Sequence, residues 1–187
     1  MACYSRIRRQ QLMQEAEGYI DLAMCFADQW PLRSSLKHRL ARRALATIDQ
    51  LDPQQLDHPR VLYFRGQAFR LIQRFQDAIP PLQRAYQLEP ENIHLNLSLA
   101  WCYKRIGRID LAIQSLEEAL EIHGDRDILH YNLACYWSLT NHVGLTLIHL
   151  ARALEINPDY RDSISKEPDF DTVRNHPEFL TLTSVIV

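Results

Sequence analysis

The stretch PRVLYFRGQAFRLIQRFQDAIPPLQRAYQLEPEN, residues 59–92, decides the fold. Counted from Pro59, it places Leu62, Gly66, Phe69, Ala78, Leu82, Ala85 and Pro90 at window positions 4, 8, 11, 20, 24, 27 and 32. The next 34 residues, 93–126, put Ala100, Tyr103, Ala112, Leu116 and Ala119 at positions 8, 11, 20, 24 and 27. Residues 127–160 put Ala134, Trp137, Leu150, Ala153 and Pro158 at positions 8, 11, 24, 27 and 32. A fixed period of this length marks an array in which one supersecondary unit stacks on the next.

These residues resemble the tetratricopeptide repeat (TPR), a helix–turn–helix unit. The resemblance implies an all-α fold, a right-handed superhelix of antiparallel helix pairs closed by a C-terminal capping helix. Small residues at positions 8 and 20, Gly66 with Ala78 and Ala100 with Ala112, let the two helices of a pair approach closely. Large apolar residues at positions 11 and 24 fill the space towards the next pair. Burying each is worth roughly 1.5–3 kcal/mol.

Outward from this stretch the pattern loosens. Residues from about Ser5 to Gln29 read as one helix, with Leu12, Ala16, Tyr19, Ala23 and Phe26 at helical spacing. Trp30-Pro31 stops it, because the residue before proline avoids helical dihedrals. A second helix, about Ser35 to Leu51, carries Ala41, Leu45 and Ile48 at the positions of a second repeat helix. The division expected is therefore an N-terminal helical extension over 1–15 and a degenerate first repeat over 16–58. Regular repeats follow over 59–92, 93–126 and 127–160, then a helical cap and tail over 161–187. Within repeat two, Pro80-Pro81 is expected near the first turn of the second helix, where proline costs little, or at a kink. Gly107 and Asn141 serve the turns between paired helices. Asn96 stands where a large apolar residue is usual, and Thr146 replaces the small residue at position 20, which predicts a looser fourth pair. Beyond Pro158, a short helix over Tyr160–Glu167 and another from Asp169 to about Leu182 would cover the last apolar face. The segment EPDFDTVRNHPEF resembles the C-terminal caps of bacterial TPR proteins.

Composition narrows the function. A net charge of −2 gives no overall field towards nucleic acid or an anionic membrane. No apolar run approaches the roughly 18 residues that span a bilayer. The cysteines Cys3, Cys25, Cys102 and Cys135 form no C-x-x-C pair, so reduced thiols and a cytoplasmic location are the simplest reading. The eight histidines show no metal pattern. His123/His130 and His142/His149 are each seven apart and lack a third ligand. Cys135 near His130 or His142 has no orienting partner, and no glycine-rich phosphate loop occurs. No enzyme, metal or cofactor is expected. Arg39, Arg42 and Arg43 read as a solvated basic patch, and Glu117, Glu118 and Glu121 as a solvated acidic face.

The family resemblance also implies a binding surface. In such arrays positions 2, 5, 9, 12 and 13 of each first helix face the concave side. Carried over, repeat two presents Arg60, Tyr63, Gln67 and Arg70. Repeat three presents His94, Leu97, Trp101, Lys104 and Arg105; repeat four presents Ile128, Tyr131, Cys135 and Leu139. The degenerate repeat offers Glu17, Ile20, Met24 and Ala27. Tyr63, Leu97 and Tyr131 are alternatively packed between neighbouring first helices. Aromatic and arginine residues anchor interfaces, so the expected partner is a protein or peptide with acidic and apolar groups. The Lys/Asn/Arg clamp of co-chaperone TPR domains is absent: its positions hold Tyr63, Gln67, Ser98, Ile128 and Asn132. A second reading is self-association through end faces.

Overall fold

The computed structural model describes residues 2–24 and 33–184, and among these every regular element is helical. The expected stop at Trp30-Pro31 lies outside the described residues. The chain forms two compact units, Met1–Cys102 and Tyr103–Val187.

The first unit holds α1 (Ala2–Met24), α2 (Ser34–Ile48), α3 (Pro59–Leu71), α4 (Phe75–Leu88) and most of α5 (Ile93–Arg105). Helix α1 is continuous through residues 15 and 16. Its Leu12, Ala16 and Ile20 pack with Ala41, Ala44 and Ile48 of α2 and Val61, Phe64 and Ala68 of α3. Ile20 is thus a core residue rather than an inner-face one. Pro59 opens α3 at the position where its missing N–H needs no partner, and the His58 ring accepts the Arg60 N–H. Across the α3/α4 pair Gly66 meets Leu82. A Cβ built on Gly66 would lie 2.5 Å from Leu82 Cγ, so only glycine permits this approach.

Helix α4 begins at Phe75, which puts Pro80 and Pro81 in its second turn rather than its first. The N–H groups they lack would have reached the carbonyls of Gln76 and Asp77 four residues back. Both of those residues are exposed, so water replaces the lost partners.

The second unit holds the end of α5, then α6 (Ile109–His123), α7 (Asp127–Leu139), α8 (Val143–Ile156), α9 (Arg161–Ile164) and α10 (Pro177–Ser184). Thr146 is fully buried in α8 and donates its hydroxyl to the His142 carbonyl. The α7/α8 pair therefore closes over threonine as tightly as over alanine, and the expected loosening is absent. After α8 the backbone makes a 3-10 turn at Pro158–Tyr160, α9, a second 3-10 turn at Pro168–Phe170 and a bend. The expected helix from Asp169 begins only at Pro177, which occupies a helix start. Phe170, Val173 and Phe179 are nonetheless all buried.

One turn recurs at window position 15. Gln73, Gly107 and Asn141 have φ of 61°, 79° and 58°. In each case the next residue's N–H bonds to the carbonyl five residues back: Arg74 to Phe69, Arg108 to Tyr103, His142 to Trp137. The position-15 N–H bonds to the carbonyl three back, on Arg70, Lys104 and Ser138 respectively. This pair of bonds is the Schellman ending of a helix, which requires a left-handed residue.

Candidate partner-binding faces

In the first unit, α3 and α5 bring three of the expected residues into one network. Gln67, only 2% exposed, donates to the Ser98 hydroxyl at 2.8 Å and accepts from Arg70 at 2.6 Å. Arg70 also donates to Ser98 at 3.1 Å. Its guanidinium lies 4.6 Å from the Trp101 ring centre, within cation–π range. Phe75 packs edge-on against the same indole at 5.1 Å. The result is a half-buried, oriented cation beside a half-buried indole. Arg60 is exposed and donates to the Glu17 carboxylate at 2.6 Å. Tyr63 is half-buried, and burial raises its hydroxyl pKa. His94 is exposed at the start of α5, and Leu97 is half-buried. Ser98 and Phe75 complete the network, and the inner-face pattern names neither.

In the second unit the expected residues meet the chain's own C-terminal segment. Lys104 is ion-paired with Asp169 and sits 5.6 Å from the Tyr136 ring centre. Tyr131, 8% exposed, stacks on Tyr160 at 4.3 Å and meets Phe170 edge-on at 5.9 Å. Cys135 is 3% exposed, and its thiol pKa is pushed well above the ordinary value, by burial first and then by the Glu167 and Asp169 carboxylates. Tyr131 and Cys135 therefore offer little surface to a partner. An acidic residue followed by an aromatic one, Asp169-Phe170, already occupies this ground. Arg105 remains exposed.

The two described thiols, Cys102 and Cys135, are not poised for chemistry. Burial pushes Cys102 up to about 11, and both Cys102 and Cys135 are unpaired and buried. No three His, Cys, Asp or Glu residues converge to hold a metal ion among the described residues. His130 pairs with His149, nineteen residues away, rather than with His123 or Cys135. The two Nδ1 atoms are 2.9 Å apart, and His130 Nε2 lies 2.8 Å from Asp125, which also pairs with Arg152. Among the described residues no helix is long and apolar enough to cross a membrane.

The Tetratricopeptide repeat family model matches residues 73–134 of the chain. Several solved structures share its fold. A MamA structure from AMB-1 is 18% identical, covers 90% of this chain and 100% of its own, and has a TM-score of 0.60. MamA from MSR-1 is also 18% identical, covering 83% and 98%, with a TM-score of 0.60. A MamA fragment from Desulfovibrio magneticus RS-1 is 14% identical, covering 83% and 96%, again at 0.60. No curated protein sequence matches the chain.

Proposed function

We propose that this protein is a non-catalytic interaction scaffold that binds a peptide or helix on the inner face of its first unit. The repeat division that frames this reading is 16–58, 59–92, 93–126 and 127–160, supported by the recurrence of the turn at window position 15. The observation that carries the reading is the Arg70–Trp101 stack, held by Gln67 and Ser98. Fixing a guanidinium before a partner arrives lowers the entropy cost of the contact. Arginine and tryptophan are also the side chains that most often dominate binding energy. The ligand is a segment with a carboxylate next to an apolar side chain. The neighbouring Arg60, Tyr63, His94 and Leu97 extend the face. The buried, unpaired thiols of Cys102 and Cys135 support placing the protein in a reducing compartment, the cytoplasm.

The test is a pull-down with wild-type protein, Arg70→Glu and Trp101→Ala, with helical content checked by circular dichroism. Proteins captured by wild type should be lost from both folded variants, a weakening of about tenfold or more per anchor. Retention of every partner by both folded variants removes this face from consideration.

A further inference from the structure

Two exposed helix faces of opposite charge stand outside the proposed binding face. Helix α2 contains Lys37, Arg39, Arg42 and Arg43 and no Asp or Glu. Helix α6 contains Asp110, Glu117, Glu118 and Glu121 and no Lys or Arg. Ser35, Arg39, Arg42 and Ala46 form an exposed row at spacings of 4, 3 and 4. Asp110, Gln114, Glu117 and Glu121 form an exposed row at the same spacings. Residues three and four apart share one helix face, so each row is a straight stripe. The basic one lines an open concavity of about 570 Å³ with His38 and Arg43.

Asp110 of the acidic row is already paired with Arg108, but the partners of the other charges differ from those elsewhere. Arg65, Arg84, Arg108, Arg152 and Arg174 each meet a carboxylate of this chain. Arg39 and Arg42 meet none among the described residues, nor do Glu117 and Glu121 meet a cation there. The imbalance extends along the chain. Residues 1–48 hold eight Lys and Arg against four Asp and Glu, whereas the remainder holds thirteen against nineteen.

We infer that the basic stripe of α2 docks on the acidic stripe of α6 of a second copy of this chain. Side by side at this spacing, the two rows set one arginine opposite Glu117 in either direction, Arg42 when the helices are parallel and Arg39 when they are antiparallel, within a surplus of cations on α2 and of carboxylates on α6. A membrane is a poorer occupant, because surface-lying helices insert large apolar side chains and this stripe has only Ser35 and Ala46 beside its charges. The two surfaces are different, so the contact is head-to-tail. Each added copy leaves one stripe of each sign open, and growth continues unless the rotation closes a ring. One helix face is smaller than the roughly 800 Å² per partner of a stable complex. The association is therefore weak, reversible and driven by concentration and low salt.

Sedimentation velocity on the full chain tests this. The weight-average sedimentation coefficient should rise with concentration at about 0.05 M salt, and the apparent Kd should weaken about tenfold or more at about 0.5 M, where the Debye length is only a few ångströms. Arg42→Glu/Arg43→Glu and Glu117→Arg/Glu118→Arg should each be monomeric alone. Mixed in equal amounts they should form a heterodimer and stop there, because each variant keeps one native stripe and the two reversed stripes match each other less favourably than the native pair. Trp101→Ala, which disrupts the proposed peptide face, should leave self-association unchanged, so failure of one reading is separable from failure of the other. The inference is overturned if wild type stays monomeric at low salt, or if the mixed variants fail to associate. It is also overturned if the α2 variant loses only binding to vesicles containing anionic phospholipid.

Discussion

Gln73 holds a backbone conformation that its neighbours in the pattern reach with glycine and asparagine. A left-handed residue other than glycine costs roughly 1–2 kcal/mol, and the Schellman bonds of α3 hold Gln73 there all the same. Gln73→Gly is expected to raise stability by up to about 1 kcal/mol, part of the relief being offset by the entropy of glycine in the unfolded chain. A urea-melt midpoint reads this, and an unchanged or lower midpoint would show the turn to be unstrained. Gly66→Ala should act in the opposite direction. The added methyl must displace Leu82, a fully buried side chain, at about 1–3 kcal/mol. His149 supplies a pH dependence. Burial first, then the facing His130, lowers its pKa from 6.5 to about 4, and burial also lowers that of His130. With the two Nδ1 atoms 2.9 Å apart, only one hydrogen fits between them. The unfolded chain thus takes up protons more readily. The stability of the neutral pair is complete above about pH 6.5 and is lost as pH falls towards 4. Allowing for partial exposure, the loss should be about 1–2 kcal/mol. Melting curves of wild type across this range should fall more steeply than those of His149→Gln.

Helix α4 shows how an element survives two residues that disfavour it. Pro80 and Pro81 remove two internal hydrogen bonds, yet Ala78, Leu82 and Ala85 are completely buried on the opposite stripe. Packing holds the helix against its own propensity. Pro80 is exposed, so Pro80→Ala should stabilise the protein by about 1–2 kcal/mol, the restored helix bond outweighing the greater freedom of the unfolded chain. The C-terminal cap relies on a different device. Asp169 and Lys104 have side chains only 11% and 24% exposed. Removing the carboxylate leaves a poorly solvated ammonium, so Asp169→Ala should cost about 1–3 kcal/mol, less than a fully buried pair would. Amide exchange in α10 should accelerate with it, and Lys104→Met combined with Asp169→Ala should recover part of the loss. Equal exchange rates in α10 for wild type and Asp169→Ala would show that apolar burial of Phe170, Val173 and Phe179 alone holds the cap.

For the molecule as a whole, the division of labour between pattern residues and surface residues is the central result. The alanines at positions 8, 20 and 27 and the leucines at 24 are buried in every regular repeat that has them. Chemistry at these positions answers to neighbours a few residues away along a helix, or one helix away across a short turn. The 34-residue period and the α3–α8 helices were therefore legible from the order of amino acids alone, as was the placement of Gly107 and Asn141 in turns. The candidate face was legible less evenly. Arg70 and Trp101 could be named from their positions in the pattern, but the Gln67–Ser98 bond that orients them joins residues 31 apart. The covering of Lys104, Tyr131 and Cys135 depended on a segment that returns from residues 160–170 to lie on α7, and no local periodicity records that return. The His130–His149 pair is likewise a meeting of two helices across their turn. Local propensity and periodicity are short-range and readable along the chain, whereas burial, ion pairing and the availability of a surface are decided by which distant segments come to rest against each other.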